Sequence, residues 1–302
     1  MNSSTLRTVK CGIAVLWLVC CVVSNSYSQA AKVQHAHLSL ISEHTPVTPG
    51  GAQWIGLRFQ LEPGWHIYWS NPGDSGEAPK VMWNLPNGIQ AGDLQFPAPQ
   101  RIADHGLTDY GYLGDVILLS RLTVPANDTS KKADLAADVR YLVCREVCVP
   151  AREHLAITIP MDGTESANAG IIQTAAANLP KPLPPGVHVF AISKPDNFVV
   201  AVASKRQDFG LVSDFIPLDT QVIENSARPL IEHGKDMATM TLKKSEQLNQ
   251  PVSALRGLLI ASDKAYEVSI PVTASKNSGG KGSSKKTVSQ KIQLQRAIRS
   301  EL

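Results

Sequence analysis

The sequence predicts an all-β protein: an antiparallel β-sandwich followed by a second, smaller β-rich domain. Three observations carry this reading. Apolar and polar residues alternate with period two across the first half, turn-forming clusters separate those runs, and a proline-rich break precedes a second β pattern.

The first domain is assigned to residues 31–160. Ile55, Leu57, Phe59 and Leu61 alternate cleanly with polar neighbours, as do Ala137, Val139, Tyr141 and Val143, and then Leu155, Ile157 and Ile159. Such alternation puts one face of a strand on a core and the other in water. Residues 116–124 form a more continuous apolar run, as expected of a strand inside a sandwich. Turn signals lie between them at Thr48-Pro49-Gly50-Gly51, Asn71-Pro72-Gly73-Asp74, Pro86-Asn87-Gly88 and Asp104-His105-Gly106. Many short strands with such turns describe a sandwich.

Residues 161–178 are rich in Ala, Gly and Ser and are expected to hold a short helix. Leu179-Pro180-Lys181-Pro182-Leu183-Pro184-Pro185 favours extended polyproline, so 161–185 reads as a linker that is semi-rigid at its end. The second domain, 186–273, carries strand patterns at 187–192, 198–202, 238–242, 258–261 and 266–272. From residue 274 the chain is basic and Lys/Ser/Gly-rich and is expected to be a disordered tail.

The 302 residues suffice for about two domains, and 43% hydrophobic with 18% charged residues describes a packed globular protein. A net charge of +3, much of it at the termini, gives no argument for nucleic acid as a partner. The first 30 residues read as an export signal: Arg7 and Lys10, then an apolar stretch at 11–23, then Ser28 and Ala30 at the small-residue positions of a cleavage site after Ala30. The stretch is short for a membrane span, although an uncleaved anchor is the alternative. The mature protein is expected outside the cytoplasm, in a periplasmic setting.

Export changes the meaning of the cysteines. Of five, Cys11, Cys20 and Cys21 lie in the signal, leaving Cys144 and Cys148. In an oxidising compartment these two can form a disulfide. A bridge closing a loop of about five residues contributes only about 2 kcal/mol in the loop-entropy description, and small-loop disulfides tend to be readily reduced. A redox-active pair and a structural staple both remain open on these grounds. A zinc site lacks a second Cys pair; copper(I) held by two thiolates is a third reading. Arg145 would favour a thiolate and Glu146 would oppose it. Two aromatic segments are candidates for the surroundings. In Pro63-Gly64-Trp65-His66-Ile67-Tyr68-Trp69, Trp65 and Trp69 read as core residues, whereas His66 and Tyr68, on the other face of a strand, would border the cysteines. Thr108-Asp109-Tyr110-Gly111-Tyr112-Leu113-Gly114 reads either as a loop shielding a disulfide or as an aromatic hairpin.

Together with Asn71-Pro72-Gly73-Asp74-Ser75-Gly76, Phe96-Pro97-Ala98-Pro99 and Leu142-Val143-Cys144-Arg145-Glu146-Val147-Cys148-Val149-Pro150, these segments resemble the periplasmic N-terminal domain of the DsbD family of thiol:disulfide interchange proteins, especially its ScsB-like members. Asp214-Phe215-Ile216-Pro217 and Gly257-Leu258-Leu259 resemble the region that follows in ScsB-like chains.

The resemblance implies an immunoglobulin-like sandwich with the cysteines at one end. It further implies a protein-disulfide reductase type of module, in which Cys144 and Cys148 relay reducing equivalents without a cofactor or metal. Asp109, Tyr110, Gly111 and Tyr112 would form a cap over the pair, with His66 and Tyr68 flanking it. The implied partners are periplasmic thioredoxin-like or disulfide-bearing proteins. Full-length relatives continue into a membrane electron carrier, so a separate membrane donor is expected here; classical members also have a longer gap between the cysteines. Two other functions stay in view: a non-catalytic interaction module with a structural disulfide, and a copper-handling protein.

Overall fold

The computed structural model describes residues 35–43, 50–86, 88–104, 106–160, 168–206 and 209–274. The expected export signal, the basic tail from residue 275 and His105 lie outside the described residues. Among the described residues no helix is long and apolar enough to cross a membrane.

The first domain contains β1 (Ala36–Ser42), β2 (Ala52–Leu61), β3 (His66–Gly73), β4 (Lys80–Asn84), β5 (Gln90–Ala91), β6 (Gln100–Asp104), β7 (Leu107–Leu113), β8 (Asp115–Thr123), β9 (Lys132–Cys144) and β10 (Cys148–Pro160). They make two antiparallel sheets, ordered β1-β2-β8-β5 and β10-β9-β3-β7-β6, with β4 also on β9. Alternation sets the faces. Ala133, Leu135, Ala137, Val139, Tyr141 and Val143 along β9 are all buried, and they share one core with Ile55, Leu57 and Phe59 of β2. Trp65 and Trp69 join that core, as expected. Pro150 sits in β10, at the sheet edge, where its missing N–H costs no ladder bond to an outer neighbour.

The first sheet is also covered at the centre of its outer face, where Gly56 and Leu119 are buried. Helix α1 (Ala169–Ala177) lies on its outer side, where Ile172 packs with Ile41 and Leu119. The helix thus falls inside the segment expected to contain one.

The second domain follows with β11 (Lys181–Pro182), β12 (Val187–Ser193), β13 (Asn197–Ser204), β14 (Val212–Pro217), β15 (Leu230–His233), β16 (Met237–Lys243), β17 (Ala254–Ala261) and β18 (Lys264–Ala274). The order is β14-β17-β18-β12-β13-β16-β15, with β11 on β18. Phe198, Val200, Met240, Phe215, Leu259 and Ile270 meet in a single core contributed by both ends of this path. The proline-rich run is extended, but it is not a free spacer. Lys181 and Pro182 pair in parallel with Tyr266 and Glu267, while Leu179 and Leu183 pack against two different apolar clusters.

The domains meet through both apolar and polar groups. Ile216 and Leu258 of the second domain are buried with the first domain's core. Arg101 of β6 reaches across to Asp214 of β14 with two hydrogen bonds, of 2.9 and 3.0 Å, and its side chain is only 6% exposed. Burial alone would lower the Arg101 pKa, but the hydrogen bonds and charge of Asp214, with Tyr110, outweigh it and hold the guanidinium above its ordinary value.

Candidate functional site

Strands β9 and β10 form a long hairpin in register from Lys132↔Pro160 to Cys144↔Cys148. The cysteines are therefore the last paired residues before the tip, with Cα atoms 4.1 Å apart, and their sulfurs are bonded. The tip residues Arg145, Glu146 and Val147 are exposed, and Arg145 N–H donates to Val147 O across it. The two sulfurs sit in unlike surroundings. Cys144 is buried, at 1% exposure, whereas Cys148 is exposed.

Strand β3 brings two side chains to this pair. His66 lies in register with Cys144 on one side and Leu113 of β7 on the other. Tyr68, two residues along the same face, has its hydroxyl 3.5 Å from Cys148 Sγ, and the His66 and Tyr68 rings meet edge-to-face at 5.1 Å. Because a disulfide sulfur carries no proton, the tyrosine is the donor. Arg145 and Glu146, read from the sequence as opposing influences, pair with each other at 3.3 Å in solvent.

Of the two readings of the 108–114 segment, a shielding loop or an aromatic hairpin, the structure shows a paired strand. Asp109, Tyr110, Gly111 and Tyr112 belong to β7, between β3 and β6 in the sheet, and all four are buried. The physical reason is period-two packing: Tyr110 and Tyr112 project into the sandwich core, where Tyr112 donates to Pro97 O at 2.7 Å. Gly111 serves close approach more than flexibility, since a Cβ there would lie 2.2 Å from Ile67 O. Burial pushes the Tyr112 hydroxyl pKa up, and burial, partly offset by Arg101, does the same at Tyr110.

Asp109 touches the site at one remove. Its carboxylate accepts from Ser75 N–H at 2.9 Å and Ser75 Oγ at 2.8 Å, fixing the turn after β3. Gly76 in that turn lies against the Tyr68 ring, where a Cβ would come within 2.1 Å of Cζ. No side chain other than hydrogen fits there. The ring is thus pressed between the turn and the hairpin.

Sequence reasoning missed Val147 and Leu113, which leave apolar side chains 63% and 39% exposed at the disulfide end of the sandwich. It also missed Arg101, Asp74 and Asn225, because hydrogen bonds spanning more than a hundred residues leave no local pattern. Among the described residues, no group of three or more His, Cys, Asp and Glu is arranged to hold a metal ion.

The first domain is thus a β-sandwich with a cross-strand disulfide at a hairpin tip, one cysteine buried and the other exposed. Residues 39–160 match the family model for the N-terminal part of the thiol:disulfide interchange protein DsbD, and the first domain is an immunoglobulin-like β-sandwich. The crystal structure of the N-terminal periplasmic domain of ScsB from Proteus mirabilis aligns with a TM-score of 0.59 at 18% identity, over 79% of this chain and 94% of that one. That likeness extends the shared fold into the second domain. A titin immunoglobulin tandem aligns at a TM-score of 0.21 and 9% identity, over 80% of this chain and 97% of its own, too low to carry an argument. No curated protein sequence matches the chain.

Proposed function

We propose that this protein is a periplasmic thiol–disulfide exchange module that relays reducing equivalents to partner proteins through Cys144 and Cys148. The observation that carries the reading is the asymmetry of the pair: Cys148 is an exposed residue and Cys144 a buried one, which makes Cys148 the attacked sulfur and Cys144 the leaving group. In the reducing half-reaction, a donor thiolate attacks Cys148 Sγ, the Cys144–Cys148 bond breaks, and Cys144 leaves as a thiolate. The donor's second thiol then attacks its own sulfur in the mixed disulfide and frees the dithiol. In the forward half-reaction, the Cys148 thiolate attacks a partner disulfide, and Cys144 resolves the mixed disulfide by attacking Cys148 Sγ.

Tyr68 and His66 flank the pair, and Tyr68 O–H is a hydrogen-bond donor for the Cys148 thiolate once the bond opens. Val147 and Leu113 offer an apolar rim to a thioredoxin-like partner. Electrons come from a membrane-bound or thioredoxin-like donor, and residues 1–30 direct export. Residues 31–160 and 186–273 act as two domains.

The testing experiment is a mixed-disulfide trap. Cys144→Ser, lacking the resolving thiol, should accumulate a covalent adduct with a disulfide-bearing thioredoxin-like protein, while Cys148→Ser should not. Adducts on the Cys148→Ser variant alone would refute the assignment of the attacked sulfur, and no adduct with either would refute the relay.

A further inference from the structure

The redox hairpin belongs to the first domain, yet a side chain from the second is hydrogen-bonded to the turn that supports it. Asn225 lies in the connection between β14 and β15 and is 8% exposed. Its Nδ2 donates to Asp74 Oδ1 at 2.8 Å, its Oδ1 accepts from the Tyr110 hydroxyl at 3.0 Å, and its backbone oxygen accepts from Arg101 at 2.7 Å. Close by, Asn71 Nδ2 donates to Pro217 O at 2.9 Å.

Asp74 opens the turn after β3. Its second carboxylate oxygen accepts from Thr108 N–H at 2.7 Å, and its own N–H donates to Thr108 O at 3.1 Å. With Ser75 held by Asp109, the turn is fixed from three sides, and its Gly76 rests on Tyr68. The contacts therefore run without a gap from Asn225 to Asp74, through the turn to the Tyr68 ring, and on to Cys148 Sγ.

We propose that Asn225 is a positioning residue for the redox pair: the second domain clamps the 74–76 turn and so holds the Tyr68 hydroxyl on Cys148. This rests on the exchange function proposed above and gives the second domain a part in it. Asn225 touches neither sulfur and acts through Tyr68. Releasing the turn lets the Tyr68 hydroxyl move off the sulfur it covers, and thiolates then reach Cys148 more readily. Coupling along such a path is demonstrated by a double-mutant cycle, not by adjacency.

The discriminating variant is Asn225→Asp. It keeps the acceptor for Tyr110 and stays beside Arg101, but it turns the donor to Asp74 into a carboxylate facing a carboxylate. The readout is the rate at which dithiothreitol reduces the disulfide in the full chain. One of its thiolates attacks Cys148 Sγ and displaces Cys144, and its second thiol closes the oxidised ring and releases the dithiol. Asn225→Asp should react about three- to tenfold faster than wild type, the scale set by one buried hydrogen bond. In a Tyr68→Phe background the same substitution should add less than about twofold.

Wild-type kinetics in Asn225→Asp, or independent multiplication of the two effects, would overturn the proposal. Should Asn225→Asp lose its cooperative melt, Asn225→Ala is measured against the same two criteria. A wild-type protein that reacts with dithiothreitol but with no thioredoxin-like donor would end the relay reading and still report on Asn225.

Discussion

Each domain ends in a long antiparallel hairpin, and the two hairpins close in different ways. In the second domain β17 and β18 pair from Ala254↔Pro271 to Ala261↔Lys264, and the tip is a tight turn in which Ser262 takes φ 55°. Its backbone N–H donates to Leu211 O at 2.8 Å, which ties the tip to the neighbouring segment. In the first domain the tip at Arg145, Glu146 and Val147 has no residue at positive φ and a backbone hydrogen bond only within itself, from Arg145 N–H to Val147 O; the covalent bond between Cys144 and Cys148 closes its base. Backbone hydrogen bonds fix a turn permanently, whereas a disulfide fixes it in only one oxidation state. The same architecture thus carries a tip closed by hydrogen bonds in one domain and a tip closed by a disulfide in the other, and the difference lies in a few residues at one end of each hairpin.

The largest contrast between the hairpins is expected from the cysteines. Cys144→Ser and Cys148→Ser should each abolish exchange, yet cost only about 2 kcal/mol of stability, because the bridge closes so short a loop. Against a domain stability of about 5–15 kcal/mol, the fold should survive. Urea unfolding of the oxidised wild type beside both variants measures this. Loss of the cooperative transition in both would show that the bond is a staple.

Breaking the bond between the domains should cost more stability without touching a sulfur. Arg101→Ala leaves Asp214, two carbonyl oxygens and the Tyr110 hydroxyl without their shared donor. Removing one partner of a buried ion pair typically costs about 3–5 kcal/mol. Arg256→Ala, which breaks the solvent-facing pair with Asp219, should leave the urea midpoint nearly unchanged. Equal shifts for the two variants would mean that the Arg101 network holds nothing together.

How far the sequence disclosed this arrangement follows from the range of each interaction. Alternation along β2 and β9 marked the buried faces because a strand's periodicity is local. The cysteine pair was legible for the same reason: its two members sit four positions apart in a chain with few other cysteines. Strand β14 left no such mark, since its residues serve two masters: Phe215 packs in the second core, Ile216 in the first, and Asp214 pairs with Arg101. The prolines of 180–185 announced extended backbone but not the neighbour it pairs with. Tyr110 and Tyr112 with Gly111 between them left a loop and a hairpin equally open, and only the pairing of β7 with β3 explains that glycine as a point of close approach.

A smaller effect concerns pH. Burial holds the hydroxyls of Tyr110, Tyr112 and Tyr141 above their ordinary pKa of about 10, assisted at Tyr141 by the Glu153 carboxylate. The folded values exceed the unfolded ones, so this contribution is fully present below about pH 10 and is lost as pH rises through the raised values. The urea midpoint should therefore fall above about pH 10, with tyrosinate absorbance appearing together with unfolding. Ionisation of all six tyrosines near their ordinary pKa in the folded protein would contradict it.

The smallest effect is expected at the hydrogen-bonded tip. Ser262→Gly relieves the positive φ but gives up the Ser262 Oγ contact with Leu211 N–H, so stability should change by no more than about 1 kcal/mol. The rate of exchange at Cys148 should not change at all. A measurable change in that rate would mean that the two hairpins are coupled and that the contrast between them is drawn too sharply.

The reversibility of the Cys144–Cys148 bond is the claim on which the contrast rests, and its equilibrium with glutathione measures it most directly. The mature protein is brought to equilibrium in buffers of graded glutathione ratio, and the oxidised fraction is read by thiol alkylation and mass. The account predicts a midpoint within the range of exchange proteins, about −120 to −270 mV. A midpoint below about −300 mV, where structural disulfides lie, would contradict it.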